Sequence, residues 1–297
     1  MERLGYRYQR TIERAVELRG IGFLTGATIR LRLRPATPGT GIVFVRTDLR
    51  PAAHIPAQID QVTGTARRTT LGHAPAQVAL VEHILAALAG LRVDNCYVEL
   101  NAPEPPGLDG SAQRFVELIC HAGIRLQAAR RPIWTPSWPM VITGKEASLA
   151  IHPATDRSLR ITYTLDYGLH SPIARQSATH IITPENFRNE VGNCRTFILE
   201  DEVAELRRQG LGARTTPADL LVFGPNGPID NQLRFANEPA RHKVLDLVGD
   251  LSLFACDLAG HVVAYRSGHP LNVEMVRALT RQLSGSAQPR ARQRLAA

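Results

Sequence analysis

The sequence is poor in aromatic residues, has no paired cysteines and contains no long hydrophobic run. Aromatic residues make up 5% of its 297 residues, and its four cysteines are scattered without a CxxC pair. No apolar run is long enough to cross a bilayer, and the first residues lack the apolar core of a secretory signal. These features argue against a membrane-spanning protein, a disulfide-rich secreted domain and a thiolate zinc site. We therefore expect a cytoplasmic protein.

Basic residues outnumber acidic ones, which gives a formal net charge of +8 at pH 7. An excess of basic residues favours polyanions or phosphorylated ligands as partners. The alternative is that the excess of arginine only keeps the protein in solution. The densest basic run, from Arg290 to Arg294, contains no aromatic residue. Because nucleic-acid-binding surfaces combine basic stripes with aromatic side chains, we expect no nucleic acid partner.

Length and patterning favour two domains with a sizeable core. Hydrophobic residues make up 44% of the chain. The arginine- and proline-containing segment from Gln127 to Pro139 is the best candidate for a boundary, which divides the chain into residues 1–128 and 129–297. In each half, strand-like alternation precedes a segment with helical spacing.

The segment from Arg241 to Phe254 has apolar residues at helical spacing and predicts an amphipathic helix. Four residues is slightly more than one turn, so His242, Asp246 and Asp250 would lie on one face. An imidazole and a carboxylate one turn apart suit a shared divalent metal, and a further carboxylate suits the orientation of a neighbouring group. The pattern is short, and taken alone it favours an ordinary surface helix.

A second predicted helix, from Gln77 to Leu91, has Glu82 and His83 side by side in an otherwise apolar stretch. A carboxylate and an imidazole in such a position need hydrogen-bond partners or serve a site, and the pair alone does not separate these alternatives. If the two helices pack together, His83, His242 and Asp246 supply two imidazoles and one carboxylate. Three protein ligands with a fourth position free are typical of catalytic zinc sites.

Other polar residues would complete a set of groups for amide hydrolysis. Glu82, adjacent to a ligand, would act as general base, and His269, in a glycine-flanked loop after a strand, as general acid. A solvated loop histidine is the alternative interpretation of His269. Asp250 would hold that imidazole charged and oriented, and Thr196 or Lys243 would donate to the developing oxyanion.

Several segments, taken in order, resemble the UDP-3-O-acyl-N-acetylglucosamine deacetylases, which catalyse the committed step of lipid A synthesis in bacteria. These segments are Val81-Glu82-His83, Asn101-Ala102-Pro103-Glu104, Leu108-Asp109-Gly110-Ser111, Arg195-Thr196-Phe197, Arg241-His242-Lys243-Val244-Leu245-Asp246, Gly249-Asp250 and Ser267-Gly268-His269. Each segment is a weak signal by itself, but together and in order they are specific. The likeness runs from about Gln9 to Val276.

The resemblance implies an α+β fold of two similarly built domains. Each domain would be a β-sheet packed on two helices, with the active site between the helix layers. One insert per domain is implied, at about residues 38–70 and about residues 198–232, and the second would form a passage for an acyl chain. The implied reaction is a zinc-dependent release of acetate from the 2-amino group of a UDP-linked, 3-O-acylated glucosamine.

The resemblance also assigns roles by position. The implied ligands of one zinc ion are His83, His242 and Asp246. The implied catalytic residues are Glu82, His269, Asp250, Thr196 and Lys243, and the implied substrate-binding residues are Phe197, Lys243 and Gly268. We further expect a monomer that meets a membrane surface only transiently, through the acyl chain of its substrate.

Two departures from the family pattern leave alternatives open. Leu24 stands where the family usually has a histidine, and Gly212 to Pro217 replaces a Gly-Gly-Ser-like segment. These differences allow a paralogous zinc deacetylase that acts on another acylated amino sugar. A non-catalytic UDP-sugar-binding relative is a further alternative, but a pure binder would have no need of Glu82 together with His269.

Overall fold

The computed structural model describes residues 1–287 and contains two five-stranded sheets with helices between them. The strands of the first half are β1 (Glu2–Ile12), β2 (Val16–Ile21), β3 (Thr28–Pro35), β4 (Ile42–Arg46), β5 (Ala53–Pro56), β6 (Val62–Gly64), β7 (Thr70–His73), β8 (Ala76–Ala79) and β9 (Cys96–Leu100). Its helices are α1 (Glu82–Gly90) and α2 (Gln113–Ala122).

Up to residue 287, the second half contains ten strands, four α-helices and a π-helical turn at Phe187–Val191. The strands are β10 (Ile124–Thr135), β11 (Met140–Thr143), β12 (Ser148–His152), β13 (Leu159–Leu165), β14 (Gln176–Ile181), β15 (Phe197–Leu199), β16 (Leu221–Gly224), β17 (Gly227–Pro228), β18 (Asp257–Leu258) and β19 (Gly260–Tyr265). The helices are α3 (Pro184–Asn186), α4 (Glu200–Arg208), α5 (Glu238–Leu251) and α6 (His269–Ala287).

The two large sheets have the same topology. Their strand orders are β2-β3-β9-β4-β5 and β11-β12-β19-β13-β14. In each sheet the central strand, β9 or β19, is parallel to one neighbour (β4 or β13) and antiparallel to the other, and the outer pairs are antiparallel. Each central strand is preceded in the chain by one long helix and followed by another. The expected α+β class, with similarly built halves, is confirmed.

Alternation within the strands explains how each sheet faces the core. In β3, Ile29, Leu31 and Leu33 are fully buried, whereas Arg30 on the opposite face is exposed. Burial of such an aliphatic side chain stabilises the fold by about 1.5–3 kcal/mol. Among residues 1–287, no helix is long and apolar enough to cross a membrane.

Helices α1 and α5, one from each half, pack directly against each other between the sheets. Their close approach depends on Gly249, because a Cβ atom added there would lie 2.2 Å from the backbone oxygen of Glu82. Such a contact is far shorter than van der Waals separation, so a larger residue would force the helices apart. The packing brings the polar residues of the two helices to one place.

The start of α1 differs from the sequence prediction. The helix was expected from Gln77, but residues 76–79 form β8, which pairs antiparallel with β7. Leu80 then adopts a left-handed conformation with φ of 56°, which an α-helix does not tolerate. Apolar residues follow one another so closely here that helical spacing could not be distinguished from a strand.

The segment proposed as a domain boundary lies largely in a strand. Strand β10 pairs antiparallel with β1 and parallel with β18, so a three-stranded sheet joins the two halves. The division between residues 128 and 129 falls inside β10. Pro132 is compatible with the strand, where proline is tolerated if its missing N–H is not needed for pairing.

Each half also carries a small three-stranded sheet, as insertions would produce. In the first half it consists of β6, β7 and β8. Strands β4 and β5 fall within the range 38–70 but belong to the large sheet, so the small sheet lies later, from Val62 to Ala79. In the second half it consists of β15, β16 and β17, and the range 198–232 contains α4, β16 and β17.

Candidate active site

Helices α1 and α5 bring two imidazoles and a carboxylate together. The Asp246 Oδ1 atom lies 3.3 Å from His242 Nε2 and 3.6 Å from His83 Nε2. One ligand atom from each of these residues lies within 4.8 Å of the others. The two imidazole rings are nearly perpendicular, with centroids 5.0 Å apart. This grouping is the one that the sequence predicts.

The donor chemistry of this triad fits a bound cation. Asp246 Oδ1 is buried and makes no hydrogen bond, which is costly for a carboxylate oxygen without a counter-charge. His242 Nδ1 lies 3.0 Å from the carbonyl oxygen of Cys194 and donates to it, so Nε2 is the nitrogen with a free lone pair. Backbone support of this kind fixes the tautomer of metal-binding histidines. The three residues could therefore hold a divalent metal ion.

Lys243 contacts the other oxygen of the same carboxylate. Its Nζ atom donates to Asp246 Oδ2 at 2.6 Å. Burial would raise the pKa of Asp246, but the Lys243 ammonium and His242 outweigh it and hold that pKa well below its usual range. The carboxylate is thus kept ionised, with Oδ2 occupied and Oδ1 directed at the imidazoles.

Glu82, the first residue of α1, is buried beside this triad. Its Oε2 atom accepts from the backbone N–H of Thr69 at 3.1 Å, and its Oε1 atom lies 3.9 Å from His269 Nε2. Burial raises the pKa of Glu82, and His269 and His83 oppose that rise. A carboxylate whose pKa is raised by burial has the character of a general base near neutral pH.

His269 and Asp250 form a buried pair across the interface between α5 and α6. His269 Nδ1 donates to Asp250 Oδ2 at 2.8 Å. Burial would lower the pKa of His269, but the Asp250 carboxylate, together with Glu82, raises it to about 9. The imidazole is therefore protonated at neutral pH, with Nδ1 engaged and Nε2 directed toward Glu82.

The remaining predicted residues lie along one edge of this cluster or beside it. The Phe197 ring is 6.3 Å from the His242 ring, between centroids. Thr196 immediately precedes β15, and its N–H donates to the Gly110 carbonyl at 2.8 Å. Gly268 precedes the first residue of α6 and accepts from the N–H of Asn272. Direct side-chain contacts thus join four predicted residues around Asp246 and three around His269. Phe197 faces His242, and Thr196 and Gly268 adjoin Phe197 and His269 in the sequence.

Sequence reasoning missed two buried residues that support the proton-transfer groups. The Thr69 hydroxyl donates to Asp250 Oδ1 at 2.6 Å and lies 3.3 Å from His269 Nδ1. The Asn272 amide donates to Asp250 Oδ2 at 2.8 Å. Thr69 lies 181 positions from Asp250 in the sequence, and no local pattern marks either residue. Only the fold reveals these contacts.

An apolar cavity of about 450 Å³ adjoins the cluster at Thr196 and Phe197. Its walls come from the turn at Phe23 and Leu24, from the loop before β7, and from the second insert. The turn contacts the insert through a hydrogen bond from Gly212 N–H to the Phe23 carbonyl, 3.0 Å long. The cavity is thus lined by residues of both halves and borders the polar cluster through Phe197, whose ring faces His242.

The chain matches a known protein family over almost its whole length. Residues 9–281 match the model of the family described as LpxC, UDP-3-O-acyl N-acetylglycosamine deacetylase. The matched range contains the triad, the Glu82–His269 region and both small sheets.

Curated relatives agree with that match. The UDP-3-O-acyl-N-acetylglucosamine deacetylase of Chlamydia caviae is 41% identical over 272 residues, which cover 91% of this chain and 96% of the relative. The enzyme of the same name from Myxococcus xanthus is 40% identical over 275 residues, covering 91% of this chain and 85% of the relative. That from Trichormus variabilis is 40% identical over 274 residues, covering 90% and 96%. The chain therefore belongs to the UDP-3-O-acyl N-acetylglycosamine deacetylase family.

Proposed function

We propose that the protein is a zinc-dependent amide hydrolase that releases acetate from UDP-3-O-acyl-N-acetylglucosamine, a step of lipid A synthesis. The observation that carries the proposal is the buried cluster at the contact of α1 and α5. There, a His-His-Asp triad lies beside a carboxylate whose pKa is raised and an imidazole that is protonated at neutral pH. These are the groups that amide hydrolysis requires.

His83, His242 and Asp246 are the proposed ligands of the zinc ion. The unpartnered Asp246 Oδ1 and the two nearby Nε2 atoms support this assignment. A zinc ion with three protein ligands lowers the pKa of a water molecule to about 7 and polarises a carbonyl group. Lys243 supports the ligand set by occupying the second oxygen of Asp246.

Glu82 and His269 are the proposed proton carriers. Glu82 Oε1 would take a proton from the attacking water, and its Oε2 is fixed by the Thr69 N–H. His269 Nε2 would give its proton to the departing amine. Asp250 holds the opposite ring nitrogen, so it keeps the imidazole charged and turned toward the reacting atoms.

The apolar cavity is the proposed site of the 3-O-acyl chain. Its walls are formed mainly by apolar side chains of the turn and the second insert, such as Leu24, Val203 and Leu211. Phe197 lies between this cavity and the triad and is the proposed contact for the sugar end of the substrate. Thr196, which precedes Phe197, is the proposed hydroxyl donor to the oxyanion.

The proposed setting is a reducing compartment, the cytoplasm. All four cysteines are free thiols. Two of them, Cys96 and Cys194, are buried, and burial raises their pKa values. Buried neutral thiols of this kind are structural rather than reactive. We further propose that each half, residues 1–128 and 129–297, is a domain, with the substrate bound between them.

Acetate release from UDP-3-O-acyl-N-acetylglucosamine tests this function. The assay is run with the protein as purified, after chelation, and after zinc is added back. We expect activity that disappears on chelation and returns with zinc. Activity that is insensitive to chelation would contradict the zinc mechanism. A protein that holds one zinc ion but releases no acetate would favour a paralogue with another acylated amino sugar as substrate, for which the second insert is the place to look.

A further inference from the structure

A second cavity, which we call the rear cavity, lies between the two halves near the C-terminal turns of α1 and α5. Its volume is about 160 Å³. It is lined by Leu85 and Leu88 of α1 and by Val248 and Leu251 of α5. The candidate active site uses other residues of the same two helices, so the rear cavity is distinct from it while sharing its scaffold.

One wall of the rear cavity is a closed network of charges. The Arg7 guanidinium contacts Asp94 at 2.6 Å and Asp257 at 2.5 Å. Arg131 contacts Asp257 at 2.6 Å and Asp94 at 3.2 Å. Two arginines and two aspartates neutralise one another, so this network has no charge left for a ligand.

Two further arginines line the cavity without such partners. Within residues 1–287, neither Arg92 nor Arg157 has a hydrogen bond or ion pair through its guanidinium. Arg92 is half-buried, and burial together with the neighbouring Arg7 lowers its pKa. Arg157 is exposed to solvent. The cavity is therefore lined by one half-buried and one exposed guanidinium, neither of which has a direct hydrogen-bond or ion-pair partner among the described residues.

The backbone at Arg92 adds a second observation. Arg92 follows the C-terminal end of α1 with φ of 58°, in the left-handed position that glycine or asparagine normally occupies. A cation near a helix C-terminus interacts favourably with the helix dipole. That interaction does not explain why arginine, rather than glycine or asparagine, occupies the left-handed position itself. A side chain kept at a backbone cost often serves a ligand.

We infer that the rear cavity binds a small amphiphilic anion, a carboxylate with a short alkyl body. The carboxylate would pair with Arg92 and Arg157, and the alkyl body would lie against the leucines of α1 and Val248 of α5. A cavity of about 150 Å³ holds a ligand the size of benzene, so an alkyl chain of about five or six carbons fits. This inference does not depend on the proposed deacetylase activity.

Calorimetric titration with three probes tests the chemistry of the site. Hexanoate has both the charge and the alkyl body, hexanol has only the body, and inorganic phosphate has only the charge. At constant ionic strength, we expect hexanoate to bind about tenfold more tightly than either of the others. Equal binding of hexanol or of phosphate would overturn the inference, because one of the two halves of the site would then be irrelevant.

A pair of variants locates the binding. Arg92→Asn removes the cation and suits the left-handed backbone, so the fold is retained. We expect it to weaken hexanoate binding about tenfold. The matched control is Arg67→Gln, because Arg67 lines the apolar cavity of the candidate active site instead. Binding that is weakened by Arg67→Gln and unchanged by Arg92→Asn would place hexanoate in that other cavity and overturn the inference.

A thiol in the rear cavity provides an independent readout. Cys256 lines this cavity, whereas Cys120 is exposed on α2 and serves as an internal control. We expect hexanoate to slow alkylation of Cys256 and to leave Cys120 unchanged, as measured by mass spectrometry of peptides. The protection should be lost in Arg92→Asn. Equal rates at Cys256 with and without saturating hexanoate would contradict the site.

Discussion

Helices α1 and α5 occupy equivalent places in the two halves, yet they carry different chemistry. Each helix precedes the central strand of its sheet, and the two pack against each other. Helix α1 supplies Glu82 and His83, both from its first turn. Helix α5 supplies His242, Asp246 and Asp250, which lie on one face of that helix at intervals of four residues.

The repeated architecture positions the site but does not by itself create it. The triad needs one residue from α1 and two from α5. The second helices differ in the same way, because α6 begins with His269 and α2 begins with Gln113. The repeat brings two helix surfaces into contact, and unequal substitution of those surfaces places the buried Glu82 carboxylate on one side and the His269–Asp250 pair on the other.

Glu82→Gln tests whether α1 provides the proton acceptor, and it should have the largest effect. The amide can still accept from the Thr69 N–H but cannot take a proton. We expect kcat to fall by about 10²–10⁴-fold. The zinc content should be unchanged, because Glu82 is not one of the three proposed zinc ligands. A variant with more than a tenth of the wild-type kcat would sink the assignment of Glu82.

The pH dependence of the free energy of unfolding tests the pairing of His269 with Asp250 of α5. The pKa of His269 is raised from 6.5 to about 9, so its protonation stabilises the folded state. That stabilisation is fully present below about pH 6.5 and is lost as pH rises through about 9. With the metal chelated, the free energy of unfolding of the wild type should exceed that of His269→Gln by up to about 3 kcal/mol below about pH 6.5. Denaturant titrations at pH 6 and pH 10 measure this difference, and a difference that is the same at both would contradict the pairing.

Thr69→Val tests a residue that contacts both helices, Glu82 of α1 and Asp250 of α5. The variant keeps the N–H that binds Glu82 but removes the hydroxyl that binds Asp250. Loss of such a supporting contact typically lowers activity about 10–100-fold. We expect kcat to fall toward the lower end of that range with little change in KM, and Thr69→Ser to restore it. If serine and valine variants behave alike, the hydroxyl has no positioning role.

Gly249→Ala tests the close packing of α5 against α1. The added methyl group would meet the Glu82 backbone, so we expect a loss of about 1–3 kcal/mol in the free energy of unfolding. Gly285→Ala in α6 is the matched control, because no neighbouring atom lies within 4 Å of a Cβ added there. That control should be neutral or stabilising by up to about 1 kcal/mol. Equal effects of the two substitutions would show that the helices do not depend on close approach.

Local sequence patterns predict the parts of this site that lie within one element. His242, Asp246 and Asp250 recur every four residues, so their shared face follows from helix geometry alone. The pairing of α1 with α5 was assumed from chemistry and is confirmed by the packing. The α+β class followed from the family resemblance, because composition and periodicity do not specify how strands pair.

The contacts of Thr69 with the other half could not be predicted from the sequence. Thr69 lies in a loop before β7, and its partner Asp250 is in the other half. The start of α1 was misplaced because pairing between β7 and β8 overrides a spacing that also suits a helix. The Gln127–Pro139 segment lies largely in β10, because proline and arginine also suit a strand in a three-stranded sheet that joins the halves.

Zinc content shows whether α1 and α5 share one metal site. His83→Ala removes the ligand from α1, and Asp246→Ala removes one from α5. Zinc is measured by atomic spectroscopy after equilibration at a fixed free concentration, with wild type in parallel. We expect one zinc ion per wild-type chain and substantially less in both variants. Full zinc content in His83→Ala would contradict a shared site, because α5 and its own half would then suffice to hold the metal.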